Sequence, residues 1–196
     1  MYSDKELSLI PFTEKDSHDE TYRSWFNDVK VTKYNSHGLF PLTGEKFEAF
    51  VKGLHKEHIV FKIVITQQLN DASLYGVKFN GGDRNIWIGN CSLQSFNWIN
   101  RSAEFAIVIG NTNFWGRGYA KRALKLLLYH GFNKLNLHRI WTGTTANNIG
   151  MQMAAKGLGM RFEGQSIDGV FLDGRYVDVF HYGILKEAFC EKIIYG

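Results

Sequence analysis

Apolar residues along this chain switch between two spacings, and the switches mark its elements. From Ala103 through Glu104, Phe105, Ala106, Ile107, Val108 and Ile109 the run is almost continuously apolar, as a strand buried on both faces should be. From Gly118 onward the apolar positions are Ala120, Ala123, Leu124, Leu127, Leu128 and Phe132, a helical spacing that turns one face to a core. Upstream, a short strand is expected at Leu7 to Phe12, then helices over Thr21 to Val29 and Thr43 to Leu54. Alternating, β-branched stretches at Ile59 to Thr66 and Asn85 to Trp98 predict a long hairpin. Its connection, Gln67 to Arg84, exceeds an ordinary hairpin loop, so it either carries a strand around Leu74 to Phe79 or forms a flap. After the long helix come a strand at Arg139 to Thr145, a short helix from about Asn148 to Lys156, and two closing strands. This order predicts one mixed α/β (α+β) domain over 1–196, with a central, mostly antiparallel sheet flanked by helices.

The junction between the buried strand and the long helix reads Asn113-Phe114-Trp115-Gly116-Arg117-Gly118-Tyr119-Ala120. Two glycines there allow close backbone approach, and a helix's first N–H groups have no acceptor within the helix, so the junction suits a phosphate-bearing ligand. Ordinary turn chemistry would use the same glycines. The spacing is neither the dinucleotide fingerprint, since residue 121 is Lys, nor the P-loop pattern. NAD and ATP are disfavoured.

This block resembles the pyrophosphate loop of the GNAT superfamily of acetyl-CoA-dependent N-acetyltransferases, with Asn113 in the position of the usual Gln or Arg. The resemblance extends over the last hundred residues and is closest to the RimJ/RimL-type branch. It rests on Asn100-Arg101-Ser102-Ala103-Glu104, the glycine block, Leu135-Asn136-Leu137-His138-Arg139-Ile140, Asn147-Asn148 leading to Gly157-Leu158-Gly159-Met160, and the hairpin-like tail from Phe171 to Asp178.

The resemblance implies a GNAT fold in which the fourth and fifth strands splay and acetyl-CoA, the acetyl donor, lies between them. Pantetheine would pair with the backbone of Phe105, Ile107, Val108 and Ile109. The pyrophosphate would sit on Asn113, Trp115, Gly116, Arg117, Gly118, Tyr119 and Ala120, and Asn148 would contact pantetheine while also suiting a helix N-cap. Glu104 is the candidate base, an acid at the mouth of an apolar strand; the alternative is a strand-end carboxylate paired with Arg101. The family's usual acid is missing, because Ala155 stands where a tyrosine protonates the departing thiolate. Met151 likewise replaces a small or hydroxylated residue. A thiol pKa of ~8.5 makes CoA thiolate a tolerable leaving group without that tyrosine.

Composition narrows the partners. The chain has 196 residues and a formal charge of +4, with basic residues scattered, so nucleic acid is not implied. A mild positive excess suits anionic small molecules. Lys121, Arg122 and Lys125 lie near the glycine block, either facing phosphate or coating a solvated helix face. Cys91 and Cys190 fit no metal or redox spacing, and no metal is expected. A reduced, cytoplasmic setting is expected, with no membrane association, as a monomer or a homodimer paired through the closing hairpin's edge.

Acceptor recognition falls to the N-terminal third. The stretch from Trp25 to Pro41 is rich in aromatics, amides and hydroxyls, and Tyr34, Asn35, His37 and Phe40 are its candidate substrate residues. Trp25, Phe26 and Phe40 could equally be core. The segment is similar to that of GNAT enzymes acting on nucleotide-linked amino sugars of surface-polysaccharide pathways, which makes that class the leading acceptor. The alternatives are a protein N-terminus or a polyamine, or a catalytically silent module that only binds acetyl-CoA.

Overall fold

The computed structural model describes residues 2–35, 44–66 and 85–189, except the side chains of 52 and 54–56. His37, Phe40, Cys190 and the segment around 74–79 lie outside the described residues.

Eight strands form one sheet in the order β1-β2-β3-β4-β5-β6-β8-β7. They are β1 (Tyr2–Asp4), β2 (Leu7–Pro11), β3 (Ile59–Thr66), β4 (Asn85–Asn97), β5 (Ser102–Ile109), β6 (Arg139–Thr145), β7 (Arg161–Leu172) and β8 (Arg175–Leu185). All neighbours are antiparallel except β5 and β6, so the sheet is mostly antiparallel as the sequence implies. Among the described residues the expected strands appear with ends shifted by a residue or two, and β1 is a further strand that the sequence reading does not include.

The helices are α1 (Glu20–Asn27), α2 (Val29–Thr32), α3 (Gly44–Glu57), α4 (Tyr119–Asn133) and α5 (Ile149–Gly157). The helix expected to run unbroken to Val29 instead stops at Asn27. Asp28 takes an extended conformation, and its carboxylate accepts from Lys30 N at 2.8 Å, capping α2. At the start of α1, Asp19 does the same for Thr21 N at 2.8 Å.

Alternation along the central strands sends side chains to two cores. Phe61, Ile63 and Ile65 of β3, with Cys91 and Leu93 of β4, join Leu124, Leu127, Leu128 and Phe132 of α4. On the opposite face Val60 and Trp87 pack with Phe12, Tyr22, Trp25, Phe26, Phe47 and Val51 beneath α1 and α3. The same alternation applies to β5. Ala103 and Phe105 belong to the first core, with Ile107 and Ile109 packed against it, which leaves Glu104, Ala106 and Val108 on the second face.

The second core touches the end of β5 at one tight point. Gly110 is buried, and a Cβ there would lie 1.9 Å from the Trp25 ring, so only glycine admits the indole. Among the described residues no helix is long and apolar enough to cross a membrane.

Candidate active site

The site begins where two strands part. β5 and β6 are in register only from Ser102 to Glu104 against Arg139 to Trp141. One step on, Thr142 Oγ1 donates to the Phe105 carbonyl at 3.1 Å. Beyond that tie the strands diverge around a cleft of about 1250 Å3. β1 is an extra leading strand in this count, so β5 and β6 are the fourth and fifth strands of the expected GNAT fold.

The backbone of β5 presents every second residue to this cleft. The Phe105 carbonyl faces β6, and the Ile109 carbonyl accepts from Trp115 Nε1 at 2.7 Å. With a period of two, the polar groups of Ile107 share that edge, whereas those of Val108 turn toward Asn90 on β4. Ile107 is therefore the central open rung of that edge.

The glycine block closes one end. Gly116 and Gly118 have φ values of 72° and 78°, and a Cβ built on either would meet nothing within 4 Å, so the backbone lies open. Gly118 caps α4, whose first internal bond runs from Arg122 N to Gly118 O at 3.2 Å. The amides ahead of Arg122 belong to the turn that an anion can occupy. Trp115, Gly116, Gly118, Tyr119 and Ala120 line the cleft. Asn113 and Arg117 are not among the lining residues; Asn113 N donates to Asn111 Oδ1 at 3.2 Å, and the Arg117 guanidinium lies 5.8 Å from the Phe114 ring centre.

The three nearby cations separate. Lys121 lines the cleft beside Gly157, whose missing side chain leaves room for the lysine stem. Arg122 turns away, bonding Asp4 at 2.8 Å and Glu6 at 2.7 Å, so a phosphate-facing role for it is corrected to anchoring the N-terminal strands. Its guanidinium holds the Glu6 carboxyl below the usual carboxylate range. Lys125 is exposed.

On the far side of the cleft Asn148 lines the wall while its Oδ1 accepts from Met151 N at 3.2 Å, so the cap and the lining position coexist. Ala155 is fully buried in the first core, and no hydroxyl stands at that position. Glu104 lies where the strands part and lines the cleft. Its carboxylate accepts from Gln94 Nε2 and Ser95 Oγ, both at 3.2 Å, and among the described residues no ion pair joins it to Arg101.

Tyr34 and Asn35 line the cleft, as do Tyr22, Phe26 and Lys30. Trp25 and Phe26 also pack in the second core, so the packing role of those aromatics is real. Glu104 is the one carboxylate among the described lining residues. Burial pushes the Tyr22 phenol and the Cys91 thiol well up, which keeps both neutral.

Sequence reasoning missed the polar row Asn90, Ser92 and Gln94. These alternate residues of β4 line the cleft, opposite Val108, Ala106 and Glu104. A signal was present: a central strand covered on both faces should be apolar throughout, and Gly89-Asn90-Cys91-Ser92-Leu93-Gln94 is polar at every second position.

Residues 6–161 match the family model for an acetyltransferase (GNAT) domain. The chain is 35% identical over 189 residues to the uncharacterized N-acetyltransferase YnaD of Bacillus subtilis, covering 93% of this chain and 95% of that protein. It is 32% identical over 105 residues to the spermidine N(1)-acetyltransferase of Vibrio cholerae, spanning 54% of this chain and 60% of that relative's length. The crystal structure of the spermidine N-acetyltransferase from Vibrio cholerae in complex with CoA and spermine superposes with a TM-score of 0.76 at 22% identity, covering 95% of this chain and 99% of that one. That last similarity is one of fold. With the splayed strands, the open glycine turn and the family match over most of the chain, the protein belongs to the GNAT family of acetyltransferases, whose acyl donor is acetyl-CoA.

Proposed function

We propose that this protein transfers the acetyl group of acetyl-CoA to the primary amine of a small molecule, by direct attack within a ternary complex. The observation that carries this reading is the parting of β5 and β6, which gathers the glycine turn, the Ile107 backbone edge and Glu104 around one cleft.

Acetyl-CoA would lay its pyrophosphate on the turn at Gly116 and Gly118 and its pantetheine along Ile107, bringing the thioester toward Glu104. A neutral amine attacks the thioester carbonyl, and a β5 backbone N–H stabilises the oxyanion. Glu104, directly or through water, takes the proton that the amine loses. As the tetrahedral intermediate collapses the C–S bond breaks, and CoA leaves as a thiolate that water protonates, Ala155 offering no acid. Gln94 and Ser95 hold the carboxylate in place for this role.

For the acceptor, a nucleotide-linked amino sugar is the leading class. One carboxylate, two cations in Lys30 and Lys121, and a wall of aromatics, amides and hydroxyls favour an amine carried on a polar or anionic body over a polycation. Spermidine is the second reading, favoured by the names of relatives.

The test is CoA release from acetyl-CoA across nucleotide-linked amino sugars, peptides and polyamines, with Gly118→Val as the cofactor-site control. Selective turnover of an amino sugar is the expected result. Turnover of peptides or polyamines alone would replace the acceptor, and tight acetyl-CoA binding without turnover of any amine would leave a silent binding module.

A further inference from the structure

Asn90 is 5% exposed, sits on a central strand and lines the cleft. Its Oδ1 is occupied, accepting from Trp87 Nε1 at 2.9 Å. The indole can only donate, sharing its N–H between this oxygen and the Gly89 carbonyl at 2.9 Å, so the amide turns its oxygen toward Trp87. Nδ2 therefore points away from Trp87 with two hydrogens to place. The Tyr22 hydroxyl stands beside the amide and accounts for at most one of them, and among the described residues no other acceptor reaches Nδ2. A buried amide donor without a partner is rare in a native fold, and its position in a ligand cleft gives the vacancy a purpose.

We propose that Asn90 is a specificity-determining residue whose Nδ2 donates to an oxygen on the body of the acceptor. This rests on the N-acetyltransferase reading and names the chemistry of its acceptor. Ser92 and Gln94 continue the row, and Gln94 already bonds Glu104. At ~3.3 Å per residue, the four steps from Gln94 to Asn90 place the donor about 13 Å along the strand from the row that holds the base. An amine presented at Glu104 must then carry its oxygen on the order of 10 Å away.

A protonated polyamine is long enough but offers only donors, and Nδ2 is itself a donor. A free amino sugar has oxygens but spans a single ring. An amino sugar joined to a diphosphate meets both requirements, and Lys30, which lines the same cleft, supplies a positive charge for the phosphates.

Asn90→Asp tests this directly, since it keeps an oxygen for Trp87 and removes both Nδ2 hydrogens. Asn90→Leu removes the amide without adding charge. Each variant, saturated with CoA, is titrated calorimetrically with nucleotide-linked amino sugars, the matching free sugars and spermidine, with thermal melts recorded to establish folding and CoA release measured in parallel. The expected result is that wild type binds a nucleotide-linked amino sugar at least ~10-fold more tightly than either variant, with the acceptor KM rising by a similar factor and kcat changing less. Equal binding by wild type and the Asp variant would mean that Asn90 only supports Trp87, and would overturn the proposal. Spermidine as the sole ligand, or no ligand at all among the sugars, would overturn it too. Binding that depends on Asn90 without any acetyl transfer would sink the transferase reading and leave this one standing.

Discussion

The two halves of the cleft are built differently. The donor half is made mostly of backbone: the Ile107 edge, the open turn at Gly116 and Gly118, and the first turn of α4, all resting on an aliphatic core of α4 leucines. The acceptor half is made of side chains, with Tyr22, Phe26, Tyr34 and Asn35 above and the row Asn90, Ser92 and Gln94 on the sheet below. A backbone site recognises what every acetyl-CoA shares, whereas a side-chain site can be particular. On the proposed reading, the discriminating chemistry belongs to the other wall.

Four substitutions probe this division, beginning with the largest effect. Glu104→Gln removes the proposed base where the halves meet, and kcat should fall about 100-fold while the acetyl-CoA KM stays nearly constant. A loss confined to KM in steady-state assays would instead make Glu104 a binding group. Gly118→Val forces a β-branched residue into φ 78° at the cradle, and acetyl-CoA affinity should drop about tenfold or more by direct binding measurement. Unchanged affinity there would move the pyrophosphate elsewhere. Gly110→Ala drives a methyl into the Trp25 ring and should cost about 1–3 kcal/mol of stability, read from the urea midpoint.

Smallest of the four, Arg122→Met should cost under about 1 kcal/mol at neutral pH, because its partners are partly exposed. Its pH dependence has a definite sign. The Glu6 carboxyl titrates lower in the folded protein than in the unfolded chain, so its share of stability is present above the ordinary carboxylate range and disappears as pH falls through the lowered native value. Thermal melts from pH 7 down to pH 3 should show the wild-type advantage over Arg122→Met shrinking with acidification. An advantage that grew would contradict the ion pair.

The same division explains what could be read in the sequence. Glycines at a strand-to-helix junction and a helical run of leucines are local patterns, so β5, the cradle and α4 were legible. The parting of the strands was legible only through family resemblance, because it depends on pairing between segments 37 positions apart, Glu104 against Trp141. Arg122 illustrates the limit of proximity along a chain. It neighbours the cradle in sequence, yet the helix turns it toward Asp4 and Glu6, which no local spacing reveals. Trp25 against Gly110 likewise joins residues 85 positions apart, and an isolated glycine gives no hint of the ring above it. The Asn90 row was visible as alternation but took its meaning from burial.

The acceptor row also bears on how such an enzyme changes its diet over generations. A rail of main-chain amides survives nearly any replacement of the side chains it carries, so the donor half tolerates drift. Asn90, Ser92 and Gln94 are alternate positions of one strand, encoded within five codons and lining the cleft. On the proposed reading, few mutations, close together in the gene, would redirect the enzyme to a new amine without rebuilding its grip on acetyl-CoA.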